Sequence, residues 1–255
     1  MSFSRKARLI ANTAMVSAAC LGGCPQHMQP AASMQPQAEP LMKKAPRPVV
    51  LQEVEVVGKA NPLTEALRLP HVGVIGPSDV FPGLITAELR KLLRQVNPEA
   101  EVSSYGIGGQ DSALILKRFR RQIVEGRNNI AIISGLTIVN EWDPKNIYKN
   151  YPNMFSIARE HSIPVIVWGP TPFGGFKKWH PRMQKSADDF DAWLRARSDI
   201  TYVDVTSLGV PAYGGGPLKL KRGFDSGDGL HPGPGGCKEI ARLIYEQALK
   251  PNLPD

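Results

Sequence analysis

Between His71 and Val205 short apolar runs alternate with stretches whose apolar residues recur at helical spacing. His71-Val72-Gly73-Val74-Ile75-Gly76 is the first run, and Pro82 to Val96 then follows a helical period. Glu101 to Tyr105 is a second strand, followed by a glycine-rich turn and a helix from Asp111 to Glu125. Ile130 to Ile133 is a third strand, with a helix over Pro144 to His161. Pro164 to Trp168 is the fourth strand and Pro181 to Arg197 its helix. Thr201 to Val205 is the fifth strand, and an amphipathic helix from Cys237 to Leu249 closes the pattern. Strands without polar alternation must be buried on both faces. Five of them interleaved with helices therefore predict a three-layer α/β/α sandwich around a five-stranded parallel sheet. In such sheets the functional cleft lies beyond the carboxyl ends of the strands.

The chain ahead of this pattern differs in kind. Residues 25–66 are rich in Pro, Gln, Ala and Met and keep no period, so they offer too little apolar surface to offset their ordering entropy. They read as a tether, with strand character only over Val49–Val57, and the folded domain is expected over residues 67–255. At the start, Arg5, Lys6 and Arg8 precede an apolar run from Leu9 to Gly23. That run is too short for a membrane span and matches a secretory signal. It ends Leu21-Gly22-Gly23-Cys24, which resembles the bacterial lipobox. The resemblance implies removal of residues 1–23, lipidation of Cys24, export across the inner membrane and anchoring in the cell envelope. Cys20 would then be lost and Cys24 acylated, leaving Cys237 without an intramolecular disulfide partner. Its place on the last helix suits packing.

A net charge of +8 raises the question of an acidic partner. Lys and Arg are scattered, however, and the densest run, Lys117-Arg118-Phe119-Arg120-Arg121, falls on a helical stretch. That suits a surface helix near an acidic polymer or lipid as well as it suits nucleic acid, and no nucleic-acid motif supports the latter. No nucleic-acid partner is expected.

Candidate chemistry gathers at four loops. The first strand runs into Gly76-Pro77-Ser78-Asp79, where a serine can reach the cleft beside backbone N–H groups, or simply cap a helix. The second runs into Ser104-Tyr105-Gly106-Ile107-Gly108-Gly109, glycines that permit close backbone approach or form only a tight turn. The third ends Ser134-Gly135-Leu136-Thr137-Ile138-Val139-Asn140, whose polar side chains can serve as donors or as loop caps. Near the C-terminus, Asp228-Gly229-Leu230-His231 places a carboxylate three residues before a histidine. His71, His161 and His180 have no metal-ligand spacing. Trp142, Trp168 and Trp179 fall near the same edge and suit either a sugar platform or the core.

In this order the four blocks resemble those of the SGNH (GDSL-like) hydrolases, over about residues 70–250. The resemblance implies a flavodoxin-like fold and a serine ester hydrolase, an esterase, deacetylase or acyltransferase. Its substrate would be a small ester or an acylated envelope glycan, and no cofactor or metal is implied. By carry-over Ser78 is the nucleophile, His231 the base and Asp228 its orienting carboxylate. The oxyanion hole would use Ser78 and Gly109 N–H groups with Thr137 or Asn140. Two departures stand out: Pro77 replaces the family's Asp before the serine, and Thr137 stands at the oxyanion Asn. These also leave open a binding protein on the same fold. The oligomeric state is not legible.

Overall fold

The computed structural model describes residues 61–254 apart from Pro82 and Trp142. The expected signal segment, Cys24 and the run Val49–Val57 lie outside the described residues. Five parallel strands, β1 (His71–Gly76), β2 (Glu101–Gly106), β3 (Ile130–Ser134), β4 (Val165–Trp168) and β5 (Thr201–Val203), pair in the order β2-β1-β3-β4-β5. The register aligns Gly76 with Gly106 and Ile75 with Ile133, so the first three strands end level with one another.

Alternation along each strand divides the core into two layers. Val72, Val74, Ile130 and Ile132 face one side, where they meet Ile85, Leu89 and Leu93 of α2 (Leu84–Arg94) and Ile240 and Ile244 of α6 (Pro234–Ile244). Ile75, Ala131 and Ile133 face the other side. There they meet Ile115 and Phe119 of α3 (Ser112–Phe119), Tyr151 and Phe155 of α4 (Ile147–Glu160), and Phe190 and Leu194 of α5 (Pro181–Arg195). A side-chain period of two on strands and of three to four on helices is what lets one short sequence serve both layers. The expected three-layer sandwich is the observed one.

The packed chain begins earlier than residue 67. Helix α1 (Pro62–Ala66) buries Leu63, and Leu67 just beyond it is buried too. The Asn129 amide ties its end to the domain by donating to the carbonyls of Ala66 (3.1 Å) and Leu69 (2.8 Å). A second addition is an antiparallel hairpin, β6 (Gly209–Ala212) and β7 (Gly216–Leu220). The α3 and α6 segments each continue as a wider π-type turn, over Arg120–Val124 and Tyr245–Leu249. Cys237 is buried in α6, where burial first, and then the nearby Asp79 charge, push its thiol up to about 11.

Candidate active site

Ser78 stands two residues past the end of β1, in a turn closed by Phe81 N–H donating to the Pro77 carbonyl (3.4 Å). Helix α2 begins only at Leu84, so its N-terminus lies six residues beyond Ser78 rather than against it. The turn rests on the glycine block. A Cβ at Gly106 would come within 2.2 Å of the Phe81 nitrogen, so only glycine lets the two backbones touch. Two residues further, a Cβ at Gly108 would lie 3.9 Å from Ser78 Cβ, which puts Gly108 beside the serine. Among the described residues neither Ser78 N–H nor Gly109 N–H has a backbone acceptor.

The C-terminal loop reaches the same place from 153 residues away. Ser78 Oγ lies 2.7 Å from His231 Nε2, and His231 Nδ1 lies 2.5 Å from Asp228 Oδ2. Asp228 is itself held, its other oxygen accepting from the N–H groups of Leu230 (2.9 Å) and His231 (2.8 Å). Partial burial pushes its carboxyl up, but the His231 ring, these two N–H groups and the histidine charge outweigh that and hold it well below the usual carboxylate range. An ionised Asp228 accepts the Nδ1–H, which leaves Nε2 of the neutral ring to accept from Ser78. The loop keeps this shape through Gly229, at φ 75°, where a Cβ would meet the Gly175 backbone at 2.2 Å.

The third block divides its work. Gly135–Asn140 forms a 3₁₀ helix, whose three-residue turn puts Thr137 and Asn140 in line. Thr137 is fully buried and committed to the scaffold: its hydroxyl donates to the Ser134 carbonyl (3.1 Å) and contacts the Tyr151 hydroxyl (3.0 Å). The expectation of an oxyanion donor there meets a hydroxyl already spent in the core. Asn140 is half-buried, and its amide donates to the Gln110 carbonyl (3.1 Å), next to Gly109. A carboxamide nitrogen carries two hydrogens, so one remains for a ligand.

Two residues that sequence reasoning passed over hold these loops together. Arg118, expected on a surface helix, is buried. It donates to the carbonyls ending β1 (Gly76, 3.0 Å) and β2 (Tyr105, 2.6 Å) and to the Gln110 side chain (2.7 Å). Burial, then the nearby Arg121, lower its guanidinium to about 10, so it stays charged at neutral pH. The other is Asp79, the residue after the serine. It is buried, takes a hydrogen bond from Ser134 Oγ, and its second oxygen has no partner among the described residues. Burial outweighs the Ser134 hydroxyl and raises it from 3.8 to about 6. A carboxyl raised on folding stabilises the fold while protonated, and that contribution is lost as pH climbs from 3.8 through about 6. Asp79→Asn should therefore raise the melting temperature at pH about 8, by up to roughly 3 kcal/mol of stability, and give no such gain at pH about 4. An equal difference at both pH values would contradict this.

Other candidates fall elsewhere. Trp168 is fully buried in the core, and Trp179 is half-buried with its indole N–H on Gln184 (3.2 Å), so neither forms an open platform; Trp142 lies outside the described residues. His71 pairs with Glu101, His161 contacts Arg120, and His180 caps α5. Among the described residues no cluster of His, Cys, Asp and Glu is placed to hold a metal.

No family model and no curated protein matches the chain in sequence. Solved structures do match. A GDSL-like lipase from Bacteroides thetaiotaomicron superposes with a TM-score of 0.58 at 22% identity, over 73% of this chain and 90% of its own. TesA gives 0.57 at 21%, over 72% and 99%. A variant of an acetyl xylan esterase from Geobacillus stearothermophilus gives 0.51 at 17%, over 70% and 94%. The chain therefore has the α/β fold of the solved GDSL-like (SGNH) hydrolases.

Proposed function

We propose that this protein is a divergent SGNH hydrolase that cleaves acyl esters through Ser78, His231 and Asp228. The observation that carries the reading is the continuous chain of contacts from Ser78 Oγ to His231 Nε2 (2.7 Å) and from His231 Nδ1 to Asp228 Oδ2 (2.5 Å). Ser78 Oγ attacks the acyl carbonyl while His231 Nε2 takes its proton, and Asp228 stabilises the imidazolium that forms. The oxyanion is met by the N–H groups of Ser78 and Gly109 and by the free amide hydrogen of Asn140. Collapse expels the alcohol, protonated by His231, and water then releases the acyl group by the same steps in reverse order. The missing Asp before the serine is no obstacle, since Ser78 N–H donation does not need it.

Two of the solved structures named above are described as a GDSL-like lipase and an acetyl xylan esterase, which supports the reaction class. A small ester or an acylated glycan therefore falls within the proposed range. The site of action, on the lipobox of Cys24, is the cell envelope, and membrane fractionation of cells would decide it. Labelling with a fluorophosphonate tests the mechanism: an activated Ser78 forms a stable adduct, found by mass spectrometry on its peptide. An unlabelled Ser78 would leave a binding protein on this fold.

A further inference from the structure

We propose that the alcohol part of the substrate carries a negative charge, a phosphate, carboxylate or sulfate, bound by Lys177, Lys178, Lys219, Lys221 and Arg222. The inference rests on the hydrolase reading above and names the substrate class of that same site. All five residues are exposed, and they come from two stretches of chain that pack against the Asp228–His231 loop. Lys177 and Lys178 follow the turn whose Gly175 lies against Gly229, and Lys219 pairs with Phe173 at the base of that turn. Lys221 accepts from the N–H groups of Phe224 (2.8 Å) and Asp225 (3.0 Å) through its carbonyl, and Asp225 in turn bridges to Pro232 beside the histidine.

Lys221 has internal company, its Nζ lying 5.6 Å from the centroid of the Phe224 ring and its charge helping Arg242, the larger cause, to hold the Glu239 carboxyl down. Among the described residues none of the five enters an ion pair. The carboxylates around them take their hydrogen bonds or ion pairs from other groups. Asp225 accepts from the N–H groups of Gly227 (2.9 Å) and Gly229 (3.0 Å), Asp228 holds His231, and Glu239 pairs with Arg242. The acidic side of α5 is also engaged, Asp189 with Lys185, Asp191 with Arg195, and Asp188 with the Gln184 amide. Like charges on adjoining segments repel one another, and an anion between them relieves that repulsion.

The chemistry decides which half of the ester meets this rim. His231 must hand its proton to the departing alkoxide, so the alcohol leaves past the imidazole, on the side of the loop that carries it. A negative group on that alcohol enters a positive field, and charge-assisted hydrogen bonds to lysine or arginine hold it. The acyl carbonyl is held separately, at the Ser78 and Gly109 N–H groups.

Hydrolysis of two acetate esters tests the idea, one of para-nitrophenol and one of the same phenol bearing a ring carboxylate. The kcat/KM ratio should favour the anionic ester by about tenfold at low ionic strength and fall towards one as salt screens the rim. A Lys177→Gln, Lys178→Gln, Lys221→Gln, Arg222→Gln variant, changed only at exposed positions, should bring the ratio to about that of the high-salt wild type. Equal turnover of both esters by the wild type, indifferent to salt, overturns the inference and leaves the hydrolase reading standing. An unchanged ratio in the variant also overturns it. Turnover of neither ester overturns the hydrolase reading, and the inference with it.

Discussion

Ser78→Ala and His231→Ala should each lower ester hydrolysis by roughly 10⁴–10⁶-fold, and combining them should cost little more. The nucleophile is useless without the base 2.7 Å away, and the base without the nucleophile, so the two losses do not add. Two independent binding residues would add. Asp228→Asn should cost less, roughly 10⁴-fold, since part of the histidine's orientation survives. The oxyanion assignment separates in the same assay. Asn140→Ala should slow turnover by about 10²-fold. Thr137→Val should instead lower stability, because its hydroxyl bonds the Ser134 carbonyl inside the core. A Ser78→Ala protein with the wild-type rate on its best ester would remove the mechanism.

Arg118→Met should destabilise the domain by about 3 kcal/mol or more, measured by urea unfolding, although residue 118 touches no substrate. Its guanidinium joins the ends of β1 and β2 through the Gly76 and Tyr105 carbonyls and holds the Gln110 side chain. Methionine fills similar space but removes the buried donors to Tyr105 and Gln110, and leaves Gly76 with the Ile107 N–H alone (3.2 Å). Lysine keeps the charge yet cannot reproduce a planar fork that reaches four acceptors at once, the Gln122 side chain included, so Arg118→Lys should recover only part of the loss. In the lysine variant kcat should fall more than KM changes, as expected for displaced catalytic loops. An unfolding free energy equal to wild type in Arg118→Met would refute the assignment.

Elements with a strong period were legible from the chain alone. The apolar runs that became β1 to β5 and the stripes of α2 and α6 follow directly from burial of one periodic face. The hairpin β6–β7 was not, because Pro211 and Pro217 with Gly214, Gly215 and Gly216 read as loop. Proline removes ladder donors, and such a strand survives only as part of a small two-stranded edge held by its neighbours. Helix α1 was missed for a related reason: five residues carry too little pattern, and Leu63 is held by tertiary contact rather than by propensity.

Within the site, the places of the serine and glycine blocks after β1 and β2 determined that they would reach one sheet edge, because parallel strands bring their following loops to the same end. The Asp228–His231 loop instead follows the β6–β7 hairpin and is placed by contacts such as Gly229 on Gly175. The tertiary structure alone decided what each of the remaining polar residues does there. Thr137 and Asn140 are three residues apart in one 3₁₀ turn, yet one faces Tyr151 in the core and the other the Gln110 carbonyl. Arg118 looks like its neighbours Lys117 and Arg120 but is the one turned under the sheet edge. Lys177, Lys178, Lys219, Lys221 and Arg222 look scattered until the Gly175–Gly229 contact draws their segments around His231. Burial and electrostatic field depend on distance in space, and sequence separation does not record that distance.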